Sequence, residues 1–278
     1  MSVWTDFAAG PPQGEEPLQG AERRDAVPLR PVRACAGRPR AAGLSPLGGQ
    51  RPTQRRSVGA LIFDMDGTMV DSMPWHARAW VEFARRRDMT IDLPDLMRRT
   101  TGRTAFECAC ELMGREVSEA ESAQITHEKE TIYRELFGAE FREVAGFRSF
   151  ARAAAGRGLK IAVGTAGDRH NIAFTLSLLN MAPAPLAVVG GDEGLPGKPQ
   201  PAIFLEAARR IGVPAARCIV FEDAPFGIEA ARRGGMRAVA VCSSHSASEL
   251  AGPHVIAAVR DYNELSHSNF LETLDVAS

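Results

Sequence analysis

Short apolar runs alternate with helical stretches through the second half of the chain. Four runs are too short and too continuous for helices and predict buried strands, at residues 160–164, 186–189, 218–221 and 237–241. The stretches beside them place apolar residues at helical spacing, at residues 147–155, 171–179, 201–211 and 226–233. Strands that alternate with helices predict a parallel sheet with helices on both faces.

A further apolar run at residues 58–63 belongs to the same predicted sheet, but a different pattern follows it. From Asp71 to Gly146 the chain stays helical, without strand-like alternation. The predicted helices cover residues 74–87, 93–99, 106–113 and 118–136, with a short helical piece near Glu140. Ser72 is expected to cap the first of them. We therefore predict an all-helical cap, inserted after the first strand and lying over the carboxyl end of the sheet.

The predicted fold is α/β, a doubly wound, Rossmann-like parallel sheet with the helical cap as a second unit. The core takes residues 58–71 and 146–265, the cap takes residues 72–145, and residues 266–278 form a C-terminal tail. Residues 1–57 hold eight prolines and seven glycines and show no apolar periodicity. This composition is typical of disorder, so we predict a disordered tail there.

Composition excludes several classes of partner. The formal net charge is −1, so there is no basic excess for a general nucleic-acid or membrane surface. No apolar run approaches the roughly 18 residues of a membrane span, and the first residues resemble no secretory signal. The five cysteines are scattered, without Cys-x-x-Cys pairs or zinc-ligand spacing. We expect a cytoplasmic monomer with reduced thiols.

Two carboxylates end the first apolar run. In the stretch Leu-Ile-Phe-Asp-Met-Asp-Gly-Thr, residues 61–68, the side chains of Asp64 and Asp66 are two positions apart. Residues at this spacing lie on the same side of a strand. Both therefore face the carboxyl end of the sheet, where open α/β sheets bind ligands. Asp-Gly by itself also starts turns, so the motif needs support from the other strands.

Two later strands, at residues 160–164 and 186–189, lead into Thr165 and Lys198, which are suited to binding an anion. Thr165 follows the strand at residues 160–164, and its hydroxyl and the next backbone N–H groups form an anion cradle; a simple helix cap is the alternative. Lys198 is one of only three lysines among 33 basic residues. A lysine kept in such a chain indicates a site that needs a compact point charge, although an ordinary loop lysine is the alternative.

A second acidic pair follows the strand at residues 218–221. Glu222 and Asp223 are costly to bury unless a cation meets them. Oxygen ligands from Asp64, Asp66 and Asp223, without nearby histidine or cysteine, favour Mg²⁺ over zinc. The sequence therefore predicts a magnesium site at the carboxyl edge of the sheet.

Taken together, these motifs resemble the haloacid dehalogenase superfamily of aspartyl-phosphate-forming enzymes. Its four motifs match Asp64-Met65-Asp66-Gly67-Thr68, Thr165, Lys198 and Glu222-Asp223. The cap and the stretch at residues 221–231 are similar to the β-phosphoglucomutase-like branch, which includes small sugar phosphatases. The resemblance implies a Mg²⁺-dependent phosphatase that acts on a small phosphorylated metabolite.

The resemblance also implies a role for each motif residue. Asp64 is the nucleophile, and Asp66 is the acid that protonates the leaving oxygen and then the base that activates water. Thr165 and Lys198 hold the phosphate. Closure of the cap is expected to raise the pKa of Asp66 towards neutrality. The metal ligands are Asp64, Asp66 through its carbonyl, Asp223, and Glu222 either directly or from behind the others.

The cap decides between a phosphatase and a mutase. The mutases resemble one another in a lysine before the cap-loop glycine and an arginine three positions after it, where this chain has Thr101 and Ala105. A second phosphate is then poorly held, which favours hydrolysis. Arg103 and His76 are the candidates for substrate contact, with helix packing as the alternative for His76.

A response-regulator receiver is an alternative of another class, because it also places acids, a threonine and a lysine around Mg²⁺. Such a domain would be about half as long. It would also lack both Asp66 and the cap.

Overall fold

The computed structural model describes residues 57–276, so the predicted disordered tail lies outside the described residues except for Ser57. The strands are β1 Ala60–Phe63, β2 Lys160–Gly164, β3 Ala187–Val189, β4 Cys218–Glu222, β5 Arg237–Val241 and β6 Val255–Val259. The cap helices are α1 Met73–Arg86, α2 Leu93–Thr100, α3 Ala105–Met113 and α4 Glu119–Ala139. The remaining helices are α5 Phe147–Gly156, α6 Arg169–Leu179, α7 Ala202–Arg210, α8 Pro225–Arg233, α9 Tyr262–His267 and α10 Phe270–Thr273.

The six strands within residues 57–276 pair in parallel, in the order β3-β2-β1-β4-β5-β6. β1 is central, and its last residue, Phe63, aligns with Val163 of β2 and with Phe221 of β4. The carboxyl ends of the three strands are therefore level. The α/β prediction and the parallel sheet are confirmed.

Alternation along the strands builds two apolar layers, one on each face of the sheet. In β1, Leu61 and Phe63 join one cluster while Ala60 and Ile62 join the other. This is the period-two pattern of a strand covered on both faces. The first cluster also takes in the buried residues of the cap, such as Phe83, so the cap and the sheet share an apolar layer.

Local signals explain the boundaries of the cap helices. Thr104 and Glu107 form a reciprocal capping box at the start of α3, and the Ser118 hydroxyl accepts from the Glu121 N–H at the start of α4. Gly114 ends α3 in the left-handed conformation. The predicted piece near Glu140 is wrong as a separate element, because α4 runs to Ala139 and Glu140 is its C-cap.

The structure adds elements at the carboxyl end that the sequence pattern did not predict. β6 is an edge strand of five residues, half-exposed and rich in alanine, so its propensity signal is weak. Helices α9 and α10 are too short to show a helical period. Within the segment predicted as a tail, Phe270 and Leu274 belong to the main apolar cluster, and Val276 bridges to Val58.

Three further observations bear on the sequence predictions. Ser72 occupies the N-cap position of α1 but makes no side-chain capping bond. Cysteines 108, 110, 218 and 242 are free. Among the described helices, none is long and apolar enough to cross a membrane.

Candidate active site

The level ends of β1, β2 and β4 bring most of the predicted residues together. The Asp64 N–H donates to the Phe221 carbonyl at 3.0 Å, which extends the β1–β4 pairing by one residue. The Thr165 N–H donates to the Val189 carbonyl at 3.0 Å in the same way on the other side. One cavity at this edge is lined from the sheet by Asp64, Asp66, Thr165, Glu222 and Asp223, and from the cap by His76, Arg103 and Lys129.

Lys198 contacts two of the residues that line this cavity, and only 1 % of its surface is exposed. Its Nζ donates to Oδ1 of Asp64 at 2.5 Å and to Oε1 of Glu222 at 2.7 Å. Burial by itself lowers the pKa of Lys198, but the charges of Asp64 and Glu222 outweigh burial and raise it. Lys198 is therefore a fixed positive charge between two carboxylates.

Glu222 holds Lys198 and is held in turn by the backbone. Its second oxygen accepts the Ala224 N–H at 2.7 Å. Gly227 leaves the room this carboxylate needs, because a Cβ at Gly227 would lie 1.7 Å from Oε1. Both oxygens of Glu222 are thus engaged by protein donors.

Asp223 is packed just as closely but is not fully paired. Oδ1 accepts from the Thr68 hydroxyl at 3.3 Å, whereas Oδ2 is buried without a hydrogen-bond partner among the described residues. Gly67 has φ 75°, and a Cβ there would lie 2.1 Å from Oδ2. A buried carboxylate oxygen without a donor is costly unless a cation binds it.

Asp64, Glu222 and Asp223 can place one oxygen each within 4.8 Å of one another. Burial raises the pKa of Asp64 to about 7, and the charge of Lys198 only partly offsets it. Burial, followed by the charges of Glu222 and Asp64, raises the pKa of Asp223 well above its ordinary range. Three carboxylates around one ammonium leave the cluster short of positive charge, which fits a cation-binding site.

Asp66 has the opposite environment. Its Oδ1 accepts from the Ser72 hydroxyl at 2.7 Å and from the Tyr133 hydroxyl at 3.2 Å, and it lies 3.2 Å from Nε2 of His76. Burial alone would raise the pKa of Asp66, but His76, the Ser72 hydroxyl and the Lys129 charge outweigh it and lower the pKa to about 2. The expectation that cap closure raises this pKa is wrong for this arrangement.

His76 joins the cap to Asp66. Its ring stacks on Tyr133 at 3.8 Å between centroids, and Nδ1 lies 2.6 Å from Nζ of Lys129. Nδ1 of His76 therefore faces Lys129 and Nε2 faces Asp66, so the ring links the cap lysine to this carboxylate. The stacking on Tyr133 agrees with helix packing, the alternative for His76, and its role in substrate contact stays a prediction.

Lys129 is a site residue that the sequence interpretation did not assign. It is 4 % exposed, lines the cavity, and lies 5.0 Å from the Trp80 ring centroid. The scarcity of lysine, which pointed to Lys198, could have pointed to Lys129 as well. What the sequence lacked was the neighbour, because His76 is on another helix.

Thr165 is 1 % exposed, and its Oγ1 accepts the Gly167 N–H at 3.0 Å. This bond shapes the tight turn after β2. The turn packs closely, since a Cβ at Gly191 would lie 2.1 Å from the Ala166 carbonyl oxygen. Thr165 lines the cavity from this turn, and its role in phosphate binding stays a prediction.

The cap loop rests directly on the core. A Cβ at Gly197 would lie 2.7 Å from Oε2 of Glu107 and 2.8 Å from Cγ2 of Thr104, so the start of α3 packs on the residue before Lys198. Cζ of Arg103 lies 5.2 Å from the ring centroid of Phe226, and its Nη1 lies 3.3 Å from Oε1 of Glu111. The Arg103 side chain is 30 % exposed. The cap thus covers the acidic cluster.

A parallel sheet with a carboxylate cluster, a buried lysine and a helical cap at its carboxyl end defines an α/β enzyme of the phosphoryl-transfer type. A family model for haloacid dehalogenase-like hydrolases matches residues 58–235. The chain belongs to this family and is an enzyme.

The matches to two curated relatives span most of the length of each relative. The fructose-1-phosphate phosphatase YqaB of Escherichia coli is 33 % identical over 181 residues, which is 65 % of this chain and 95 % of the relative. The β-phosphoglucomutase of Bacillus subtilis is 31 % identical over 189 residues, covering 66 % and 82 % of the two chains.

A solved structure supports the fold. The β-phosphoglucomutase of Clostridium difficile matches with a TM-score of 0.67 at 24 % identity, over 77 % of this chain and 96 % of that one. The match to the family excludes the receiver alternative.

Proposed function

We propose that the chain is a Mg²⁺-dependent phosphatase that hydrolyses a small phosphate monoester, specifically a sugar phosphate, through an aspartyl-phosphate. The observation that carries the proposal is the pairing of Asp64 with buried Lys198 at 2.5 Å, on a cavity that Asp66 and Thr165 also line. The phosphatase and mutase names of the relatives support a phosphorylated sugar as the substrate class.

The residues fit a magnesium ion. Asp64, Asp223 with its unpaired Oδ2, and the Asp66 carbonyl would hold it, while Glu222 orients Lys198 from behind. Bound there, Mg²⁺ supplies charge neutralisation for the phosphoryl oxygens.

Asp64 attacks the phosphorus atom in the first step. The ester arrives with a charge near −2, which would repel a carboxylate. Lys198 offsets part of this repulsion, and Thr165 with the backbone N–H groups after it binds the phosphoryl oxygens. A bond forms between a carboxylate oxygen of Asp64 and phosphorus, and the bond from phosphorus to the sugar oxygen breaks.

Asp66 moves the proton in both steps. With its pKa near 2, Asp66 is ionised before substrate binds. The incoming phosphoryl charge raises that pKa, so the Asp66 carboxylate takes up a proton from solvent as the substrate binds and then transfers it to the leaving oxygen. Asp66 then takes a proton from water, whose oxygen attacks phosphorus and releases Asp64 and inorganic phosphate.

Specificity lies in the cap. Arg103 and His76 line the cavity and are the proposed contacts for the sugar. At the two positions where the mutases resemble one another, Thr101 and Ala105 line the cavity without charge. The Thr101 hydroxyl is already used by the Met97 carbonyl at 2.7 Å, which favours hydrolysis over mutase activity.

The test is a screen of sugar phosphates with Mg²⁺, comparing the parent with Asp64→Asn and with Asp95→Asn, a carboxylate paired with Arg98 on the cap. Release of phosphate should stop in Asp64→Asn, because the amide keeps the shape but is no nucleophile. Asp95→Asn should retain the parent rate. Equal turnover in the parent and in Asp64→Asn would refute the proposal.

A further inference from the structure

We propose that Asn171 is a positioning residue that locks helix α4 of the cap onto α6, the helix that follows the proposed phosphate loop at residues 165–168. This inference rests on the proposed function, because the reaction it serves is the phosphoryl transfer at Asp64. Asn171 is 2 % exposed and lies in α6, the helix that begins directly after residues 165–168. Asn171 also lines the cavity described above.

Both ends of the Asn171 amide bond to the same cap helix. Nδ2 donates to Oε2 of Glu130 at 2.7 Å, and Oδ1 accepts from Nη1 of Arg134 at 2.8 Å. Glu130 and Arg134 are four residues apart and therefore lie on one face of α4. The guanidinium is only a donor and the carboxylate only an acceptor, so a single orientation of the amide satisfies both.

The bridge continues from the core to the proposed acid. The other oxygen of Glu130 accepts from Nζ of Lys129 at 2.8 Å, and Lys129 contacts His76, which faces Asp66. Burial by itself raises the pKa of Glu130, but Lys129, His76 and the Asn171 amide outweigh it and lower the pKa. Asn171 thus stabilises the charged form of the carboxylate that places Lys129.

Packing alone does not account for Asn171. The apolar contact between α4 and α6 is already made by Phe174, whose ring lies 6.2 Å from that of Tyr133 and 6.4 Å from that of Phe137. A leucine at position 171 would keep that layer but leave Glu130 and Arg134 without their shared partner. The amide therefore sets the register of the cap helix rather than filling space.

Reversing the polarity of the bridge tests it. Asn171→Asp brings a second carboxylate against Glu130, so kcat/KM for the best sugar phosphate should fall roughly ten- to a hundred-fold. Adding Glu130→Gln restores a donor opposite the introduced carboxylate and should recover the parent value to within about three-fold. The recovery excludes general unfolding as the cause of the loss in the single variant.

Two comparisons distinguish positioning from structural damage. The single-turnover burst with p-nitrophenyl phosphate should fall less in Asn171→Asp than the burst with the sugar phosphate, since that leaving group needs no proton. Glu128→Gln is the matched control: it lies on the same helix but pairs with Arg87 within the cap. Parent-like kcat/KM in Asn171→Asp, or a double variant as slow as the single one, would overturn the proposal.

Hydrogen exchange separates this proposal from the proposed function. If the parent hydrolyses no phosphate ester, the proposed function fails on that result alone. The bridge is then judged by amide exchange in residues 119–139 and 169–179, measured with inorganic phosphate and Mg²⁺ present. Exchange should be faster in Asn171→Asp and return to the parent rate in the double variant; unchanged exchange would refute the bridge.

Discussion

Two aspartates separated by one residue differ widely in proton affinity. Burial raises the pKa of Asp64 to about 7. Asp66 is also buried, yet donors from the cap and from Ser72 lower its pKa to about 2. The same residue type at two nearby positions of one strand end thus acquires two chemical characters from its neighbours. In the proposed reaction, Asp64 requires a cation to become ionised, while Asp66 requires the substrate charge to become protonated.

Removing the side chain of Asp66 should separate proton transfer from attack. Asp66→Ala should slow hydrolysis of sugar phosphates by about 10²–10⁴-fold, because the leaving oxygen is no longer protonated. With p-nitrophenyl phosphate, the rate of the phosphorylation step should fall less, because that leaving group needs no proton. The comparison is made on the single-turnover burst, since water attack is slowed for both substrates. An equal burst loss with both would mean that Asp66 is not the acid.

Arg103 should affect binding rather than chemistry. Its guanidinium shares Glu111 with Arg99, so its charge is only partly neutralised beside the cavity. Arg103→Ser should raise KM for the sugar phosphate about ten-fold with little change in kcat, as expected when a uniform binding contact is lost. Arg98→Ser, on the outer face of the same cap region, is the control. A fall in kcat at constant KM would place Arg103 in the chemical step instead.

At the scale of elements, the seam between the cap and the core is built around small residues. Gly197 faces Thr104 and Glu107 at the start of α3, and a Cβ at Gly102 would lie 3.7 Å from the Cβ of Phe226 and 4.0 Å from the Cβ of Ala224. Close approach of this kind excludes water from the acidic cluster, which strengthens every charge interaction inside it. We therefore expect closure of the cap to depend on positions that contact no substrate.

A single methyl group should hold the cap open. Gly197→Ala would place a Cβ within 2.8 Å of the cap, and the start of α3 must shift to accept it. We expect kcat for the sugar phosphate to fall roughly ten-fold or more while the melting temperature changes little. Gly156→Ala is the matched control, because nothing lies within 4 Å of its Cβ. Parent-like kcat in Gly197→Ala would show that this contact does not control closure.

At the scale of the whole molecule, the acidic cluster lowers stability unless a cation is bound. The pKa of Asp64 is raised from the ordinary aspartate value of 3.8 to about 7 in the folded protein. Between these two values the folded protein keeps a proton that the unfolded chain has lost. Stability contributed by this group is therefore lost as pH rises from about 4 to about 7. The pKa of Asp223 is raised as well, so this group contributes to stability in the same direction.

Binding of Mg²⁺ should restore the lost stability. The gain should be larger at high pH than at low pH. At a hundred-fold excess over its dissociation constant the ion adds about 2.7 kcal/mol, which corresponds to roughly 5–10 °C in melting temperature. We expect this gain at pH 8 and a much smaller one at pH 5, where protons compete for the same oxygens. Thermal melts with and without Mg²⁺ measure it, with Asp223→Asn as the variant that should lose the gain. Equal gains at both pH values would contradict the cation site.

The sequence by itself determined the parallel sheet, the helical insertion and the positions of Asp64, Lys198 and Asp223. These follow from signals that are local in the chain: apolar runs of strand length, helical periodicity, carboxylates directly after a strand, and a lysine kept where arginine is otherwise used. Parallel strands then bring their carboxyl ends together, which is why motifs more than a hundred residues apart could be assigned to one site.

Only the tertiary structure decided what surrounds each group. β6, α9 and α10 have weak local signals and form because the rest of the sheet gives them a surface to pack on. The low pKa of Asp66, the contact between His76 and Lys129, and the Asn171 bridge all depend on side chains from different helices meeting in one buried space. Burial and charge pairing are properties of that shared space, so a linear pattern of residues does not contain them.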